Sequence, residues 1–137
     1  MPIVNTGRFD INYVEEGEGF PVVLIHGLAG DHTAWFPQIA ALKKKYRVIA
    51  FDNPGSGKSS KVQSPVNTAE LADATLGLMD KLNIKRAHVV GRSMGGAIAQ
   101  QMALRSQDSL QSKAMAASFA RLAPLGNQKI NNININT

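Results

Sequence analysis

Ser93 stands in the stretch Gly91-Arg92-Ser93-Met94-Gly95, between an apolar run, Ala87-His88-Val89-Val90, and a helix-like segment from Met94 to about Arg105. A G-x-S-x-G between a strand and a helix forces the serine onto a sharp, strained turn with its hydroxyl at the carboxyl edge of a sheet. Glycines two positions to either side remove the Cβ atoms that would clash where strand and helix nearly touch. Gly91 and Gly95 fill those places, and Gly96 adds clearance at the helix start. A serine held this way suits nucleophilic attack on an acyl carbon. A glycine-rich turn with an incidental serine would share the motif, but not the strand leading in and the helix leading out.

Acyl transfer also needs N–H donors aimed at the oxyanion that develops, and loss of one such donor costs about 10²–10³ in rate. The backbone N–H of Met94, just after the serine, is one candidate. The second is expected from the loop after an earlier strand, where His26-Gly27-Leu28 follows the apolar run Pro21-Val22-Val23-Leu24-Ile25. The N–H of Leu28 is the best placed. Gly27 lets that backbone approach a substrate, and His26 belongs to the geometry of the loop. A plain strand-ending turn would explain Gly27 but not its pairing with the serine turn.

These positions need a scaffold. Residues 2–6 and 9–14 can form a short β-pair over a turn at Gly7-Arg8, and the stretch Glu15 to Gly19 breaks it. Pro21–Ile25, Arg47–Phe51 and Ala87–Val90 are continuous apolar runs, which suit strands covered on both faces. Thr33 to Tyr46 reads as a helix, with Trp35, Ile39 and Leu42 at spacings of four and three. Asn67 opens another helix, with Glu70 placed for a capping box. Lys113 to Ser118 reads as one more short strand. Alternation of strands and helices from residue 21 to 105 predicts βαβ units in a mostly parallel sheet with helices on both faces. The fold class is therefore α/β. Residues 1–125 are expected to form the core, with 106–125 the least defined part. The asparagine-rich tail 126–137 is expected to be loosely ordered.

The chain has 137 residues, no cysteine and a formal net charge of +5. Disulfides, cysteine-ligated zinc and thiol catalysis are excluded. Three excess positives, Lys113, Arg121 and Lys129, lie in a C-terminal stretch without acids, and Lys43-Lys44-Lys45 follows a helix where cations offset its dipole. Neither pattern makes a nucleic-acid surface. No apolar run approaches the roughly 20 residues that span a bilayer. The N-terminus lacks the layout of a signal peptide, which leaves the cytoplasm as the expected location. Pro54-Gly55-Ser56-Gly57-Lys58-Ser59 is similar to the end of a phosphate-binding loop. The full pattern requires a glycine where Asp52 stands, and a helix where Ser60-Lys61-Val62-Gln63-Ser64-Pro65 follows.

Three motifs in order, His26-Gly27-Leu28-Ala29-Gly30-Asp31-His32, Phe51-Asp52-Asn53-Pro54-Gly55-Ser56-Gly57 and Gly91-Arg92-Ser93-Met94-Gly95-Gly96, resemble the α/β-hydrolase superfamily. The resemblance covers about residues 8 to 105 and is greatest to small carboxylesterases and 3-oxoadipate enol-lactonases. It implies Ser93 as nucleophile, the N–H groups of Leu28 and Met94 as oxyanion hole, a small ester or lactone as substrate, and no cofactor or metal. Serine at this turn argues against the superfamily's dehalogenases and epoxide hydrolases, which carry aspartate there.

The superfamily's triad runs Ser, then Asp or Glu, then His along the chain. After Ser93 the sequence has one acid, Asp108, and no histidine. Asp108 falls where the family has a surface loop, so triad acid and histidine are both unassigned. Upstream, His26 belongs to the oxyanion loop, His88 begins a buried strand, and His32 is the least implausible substitute. The reading is thus a partial α/β-hydrolase fold without its later strands and lid, inactive by itself. A sheet so interrupted is expected to expose an edge open to self-association. A non-catalytic module that binds a ligand or a partner is the alternative.

Overall fold

The three continuous apolar runs become the centre of a six-stranded sheet in the computed structural model, which describes residues 2–105 and the backbone of 110–115. In chain order the elements are β1 (Ile3–Asn5), β2 (Asp10–Glu16), β3 (Phe20–Ile25), a 3₁₀ turn (His32–Trp35), α1 (Phe36–Leu42), β4 (Tyr46–Phe51), α2 (Thr68–Lys81), β5 (Ala87–Gly91), α3 (Met94–Arg105) and β6 (Leu110–Met115). The sheet order is β1-β2-β4-β3-β5-β6. β1 and β2 pair antiparallel, and β2 pairs antiparallel with β4. β4, β3, β5 and β6 run parallel.

Alternate residues of the central strands feed two cores. Val23, Ile25, Ile49, Phe51, Ala87 and Val89 face α2 and α3. Val22, Leu24, Val48 and Ala50 face Trp35 and Ile39. Burial of each large aliphatic side chain is worth about 1.5–3 kcal/mol relative to exposure, so these layers hold the sheet together. α2 contributes Leu71, Ala74, Thr75, Leu78 and Met79, one stripe at helical spacing. Its start carries the expected capping box: Asn67 accepts from the Glu70 N–H, and the Glu70 side chain accepts from the Asn67 N–H. α3 buries Ile98, Ala99, Met102 and Ala103.

The helix expected over Thr33–Tyr46 is shorter and begins differently. Asp31 accepts from the Thr33 N–H and starts a 3₁₀ turn. Pro37, without an N–H to give, takes the first turn of α1. The helix stops at Leu42, and Tyr46 is drawn into β4 opposite Phe20. The last described strand also starts earlier than expected, at Leu110, because its pairing with β5 begins at Ala87. Residues 116–118 of that expected strand, and the tail 126–137, lie outside the described residues. No helix among the described residues is long and apolar enough to cross a membrane.

One consequence of the strand order matters most for chemistry. From β3 the chain crosses to β4 on one side, and later returns to β5 on the other. The carboxyl ends of β3 and β5 therefore flank a topological switch point, the usual place for ligands in an open α/β sheet. Ile25 pairs with Gly91 there, so the loops that follow emerge side by side.

Candidate active site

Ser93 follows β5 by two residues and has φ of +57°, in the left-handed region. That conformation costs a non-glycine residue about 1–2 kcal/mol and persists only where its surroundings impose it. Here they do. The Arg92 N–H donates to the Ile25 carbonyl at 3.1 Å, and the Gly95 and Gly96 N–H groups donate to Arg92 and Ser93 carbonyls at 2.8 and 2.9 Å. A Cβ on Gly91 would overlap the Gly95 carbonyl, and one on Gly95 would overlap the Ile25 carbonyl. Strand, turn and helix are thus in backbone contact, and glycine is the residue that permits it. Gly96 is buried in the first turn of α3.

The loop after β3 meets this turn directly. A Cβ built on Gly27 would stand 2.9 Å from the Ser93 Cβ, 2.9 Å from the Arg92 carbonyl oxygen and 3.5 Å from the Ser93 Oγ. Leu28, next along, is 77% exposed. Neither the N–H of Leu28 nor that of Met94 has an acceptor among the described residues. Two unsatisfied donors therefore lie one residue beyond Gly27 and one beyond Ser93. The Ser93 hydroxyl likewise has no hydrogen-bond partner among the described residues.

His26 is fully engaged elsewhere. Its Nε2 accepts from the Asn53 N–H at 2.9 Å, which leaves Nδ1 to donate to the Gly27 carbonyl at 2.7 Å. These partners assign the neutral ring with the proton on Nδ1. Burial holds its pKa below the ordinary value, against weaker opposing effects of the Gly27 carbonyl and the Asp52 and Asp31 carboxylates. A ring with both nitrogens committed cannot take a proton from Ser93 without breaking the loop it organises.

Asp52, at the end of β4, is a site that spacing alone did not mark. Its carboxylate is buried and accepts four hydrogen bonds: from the Asn12 side chain, the Lys58 N–H, the His32 N–H and the His32 Nδ1 at 2.7 Å. Burial alone would raise its pKa, but these donors outweigh it and hold the carboxyl below its ordinary value. The signal in the sequence is an acid directly after an apolar strand, where a buried charge must find donors. The loop that resembles a phosphate cradle in sequence wraps this carboxylate instead. Its Lys58 N–H points at Asp52, and Ser59 Oγ donates to the Asp52 carbonyl.

Together, Asp52 and His26 fasten the loop at residues 26–32 to the loop at 52–59. His32, the least implausible replacement for the base, has its Nδ1 committed to Asp52. Asp31, His32 and Asp52 bring three possible ligand atoms within 4.8 Å, but the hydrogen bonds that close these loops already account for the arrangement. His88 lies toward the opposite end of β5, its ring 5.0 Å from Phe20 and 6.0 Å from Tyr46. Three residues of strand, about 10 Å, separate it from Gly91.

A family model described as alpha/beta hydrolase fold matches residues 21–131. The chain is 32% identical over 121 residues to the candidate carbamate hydrolase RutD of Azorhizobium caulinodans, covering 88% of this chain and 46% of that protein. It is 36% identical over 101 residues to 3-oxoadipate enol-lactonase 1 of Acinetobacter baylyi, covering 74% of this chain and 38% of the relative. The crystal structure of the enol-lactonase from Burkholderia xenovorans LB400 superposes with a TM-score of 0.80 at 34% identity, over 84% of this chain and 47% of that one. The chain thus spans less than half the length of these relatives.

Proposed function

The chain belongs to the α/β-hydrolase family, and from that premise we propose that Ser93 is the nucleophile of a serine hydrolase acting on a small carboxylic ester or lactone. The observation that carries the reading is the contact of Gly27 with the left-handed Ser93. The N–H groups of Leu28 and Met94, each next in the chain to one of these two residues and without an acceptor among the described residues, are the donors this reading assigns to the oxyanion. The names of relatives, enol-lactonase and carbamate hydrolase, support acyl transfer to water from a small molecule.

In this reading the Ser93 Oγ attacks the acyl carbon, and the carbonyl oxygen takes up negative charge against the N–H groups of Leu28 and Met94. The acyl C–O bond then breaks, the alcohol portion leaves with a proton, and water releases the acid from Ser93. Preorganised donors of this kind supply about 2.7–4 kcal/mol each to the transition state. His26, Gly27, Gly91, Gly95 and Gly96 shape the backbone rather than touch the reacting atoms.

Proton transfer is the step these residues do not provide. No histidine follows Ser93 in the 137 residues, and His26 and His32 are committed to the loops. A serine without its base keeps only the residual advantage of oxyanion hole and binding, about 10³–10⁴ over water. The rate expected of these residues taken alone is therefore residual at most. The test is p-nitrophenyl acetate hydrolysis by the unsubstituted chain and by Ser93→Ala. A slow rate that Ser93→Ala abolishes supports the reading, and equal rates in the two overturn it.

A further inference from the structure

Arg92 is part of the serine turn, and its side chain has no role in the hydrolytic chemistry proposed above. Its guanidinium carbon is 4.8 Å from the centroid of the Trp35 ring. Trp35 is 2% exposed, at the end of the 3₁₀ turn that closes the 26–32 loop. Arg92 has no acidic partner among the described residues, unlike Arg8, Arg47 and Arg105, which each hold a carboxylate. A guanidinium with no counter-ion, laid on a buried indole, has that ring as its electrostatic partner.

The backbone of Arg92 is anchored as well. Its N–H donates to the Ile25 carbonyl, its carbonyl accepts from the Gly95 N–H, and that same carbonyl packs on Gly27. With the side chain included, Arg92 touches β3, α3, the 26–32 loop and the 3₁₀ turn. We infer that Arg92 is a positioning residue: its stack on Trp35 holds the Arg92–Ser93 peptide, and with it the left-handed Ser93, against Gly27. Strained backbone survives only where neighbours over-determine it, and this stack adds a side-chain anchor to the backbone ones. The inference deepens the nucleophile reading of Ser93, but its first test does not depend on that reading.

The first measurement is native-state hydrogen exchange at the Arg92 and Gly95 amides, both bonded within the turn, with Leu71 and Ile84 as distant controls. Arg92→Met keeps the length and removes the charge, while Arg92→Lys keeps a cation over the ring. Loss of a partly buried cation–π contact is expected to speed exchange at the turn by a few-fold to about tenfold in Arg92→Met, with the controls unchanged. Arg92→Lys restores most of the protection. In the Trp35→Leu background, which also loses core packing, adding Arg92→Met changes exchange at the turn little more, because one contact is lost only once. Unchanged exchange in Arg92→Met, an equal rise at the controls, or no rescue by lysine overturns the inference.

The second measurement is the rate of fluorophosphonate labelling of Ser93. It falls in Arg92→Met and returns in Arg92→Lys, a pattern that a generic loss of stability would not produce. Absence of labelling in the unsubstituted chain counts against the nucleophile reading, and the exchange data then judge Arg92 alone. Trp35 is the only tryptophan, so its emission reports the stack without interference. A spectrum identical in Arg92→Met and the unsubstituted chain also contradicts the contact.

Discussion

Gly27 and Ser93 touch: a methyl group on Gly27 would come within 2.9 Å of the Ser93 Cβ, although 66 positions separate them in sequence. The contact follows from the pairing of Ile25 with Gly91, which puts the ends of β3 and β5 side by side. Everything proposed about the site depends on that adjacency.

Gly27→Ala tests it first. The new Cβ presses on the Arg92 carbonyl and on Ser93 together, so one of the two loops must shift. Overpacking of this kind costs about 1–3 kcal/mol. Displacement of a reacting group by about 1 Å lowers rate by about 10². Thermal melting should show a folded, weakened protein, and ester hydrolysis should fall much further than stability does.

Gly95→Ala is harsher, because its Cβ overlaps the Ile25 carbonyl, an atom fixed in the central strand. No side-chain rotation relieves a clash between backbones. A loss above about 4 kcal/mol is expected, a large share of the roughly 5–15 kcal/mol that holds an ordinary domain together. Circular dichroism that still shows a cooperative, near-native melt would contradict this account of the turn.

Ser93→Gly should move stability the other way. Relief of the left-handed conformation returns about 1–2 kcal/mol, and the extra freedom of glycine when unfolded takes back about 0.5–1. The net gain lies between about 0 and about 1.5 kcal/mol, a rise of up to about 5 °C in Tm. A fall in Tm would mean that the hydroxyl makes a stabilising contact, or that the serine backbone is not strained.

Acidification should weaken the fold through His26. Its pKa is depressed when folded and near 6.5 when unfolded, so the unfolded chain binds the proton more readily. Stability is complete above about pH 6.5 and is lost as pH falls toward the folded value. Protonation would remove the acceptor of the Asn53 N–H and loosen the 26–32 loop. Asp52 adds a second loss further down, below its ordinary value near 3.8. Melting curves from pH 8 to 5 should show the first decline, and His26→Asn should flatten it.

Much of this was legible in the sequence because it is local. The strands at Ala87–Gly91 and Tyr46–Phe51 announce themselves as short apolar runs, and Asn67 with Glu70 announces the start of α2. The serine turn is equally local, since Gly91 and Gly95 are fixed by contacts within five residues and with the neighbouring strand. What could not be read is what depends on partners far along the chain. α1 gives up Tyr46 because Phe20 pairs with it, a contact no helical periodicity encodes. Asp52 becomes the hub of two loops only once Asn12, His32 and Lys58 converge on it. The stack of Arg92 on Trp35 joins a residue that the sequence marks only as part of the serine turn to one that it marks only by helical spacing.

The central claim is that Ser93 is a held nucleophile facing two free N–H donors. It is tested most directly by exposing the unsubstituted chain, Ser93→Ala and Gly27→Ala to a fluorophosphonate and locating the adduct by peptide mass. One adduct, on Ser93, slow in formation, absent from Ser93→Ala and strongly reduced in Gly27→Ala, is the predicted result. Adduct distributed over other serines at equal rates, or Ser93 labelled no faster than in the unfolded chain, would contradict it.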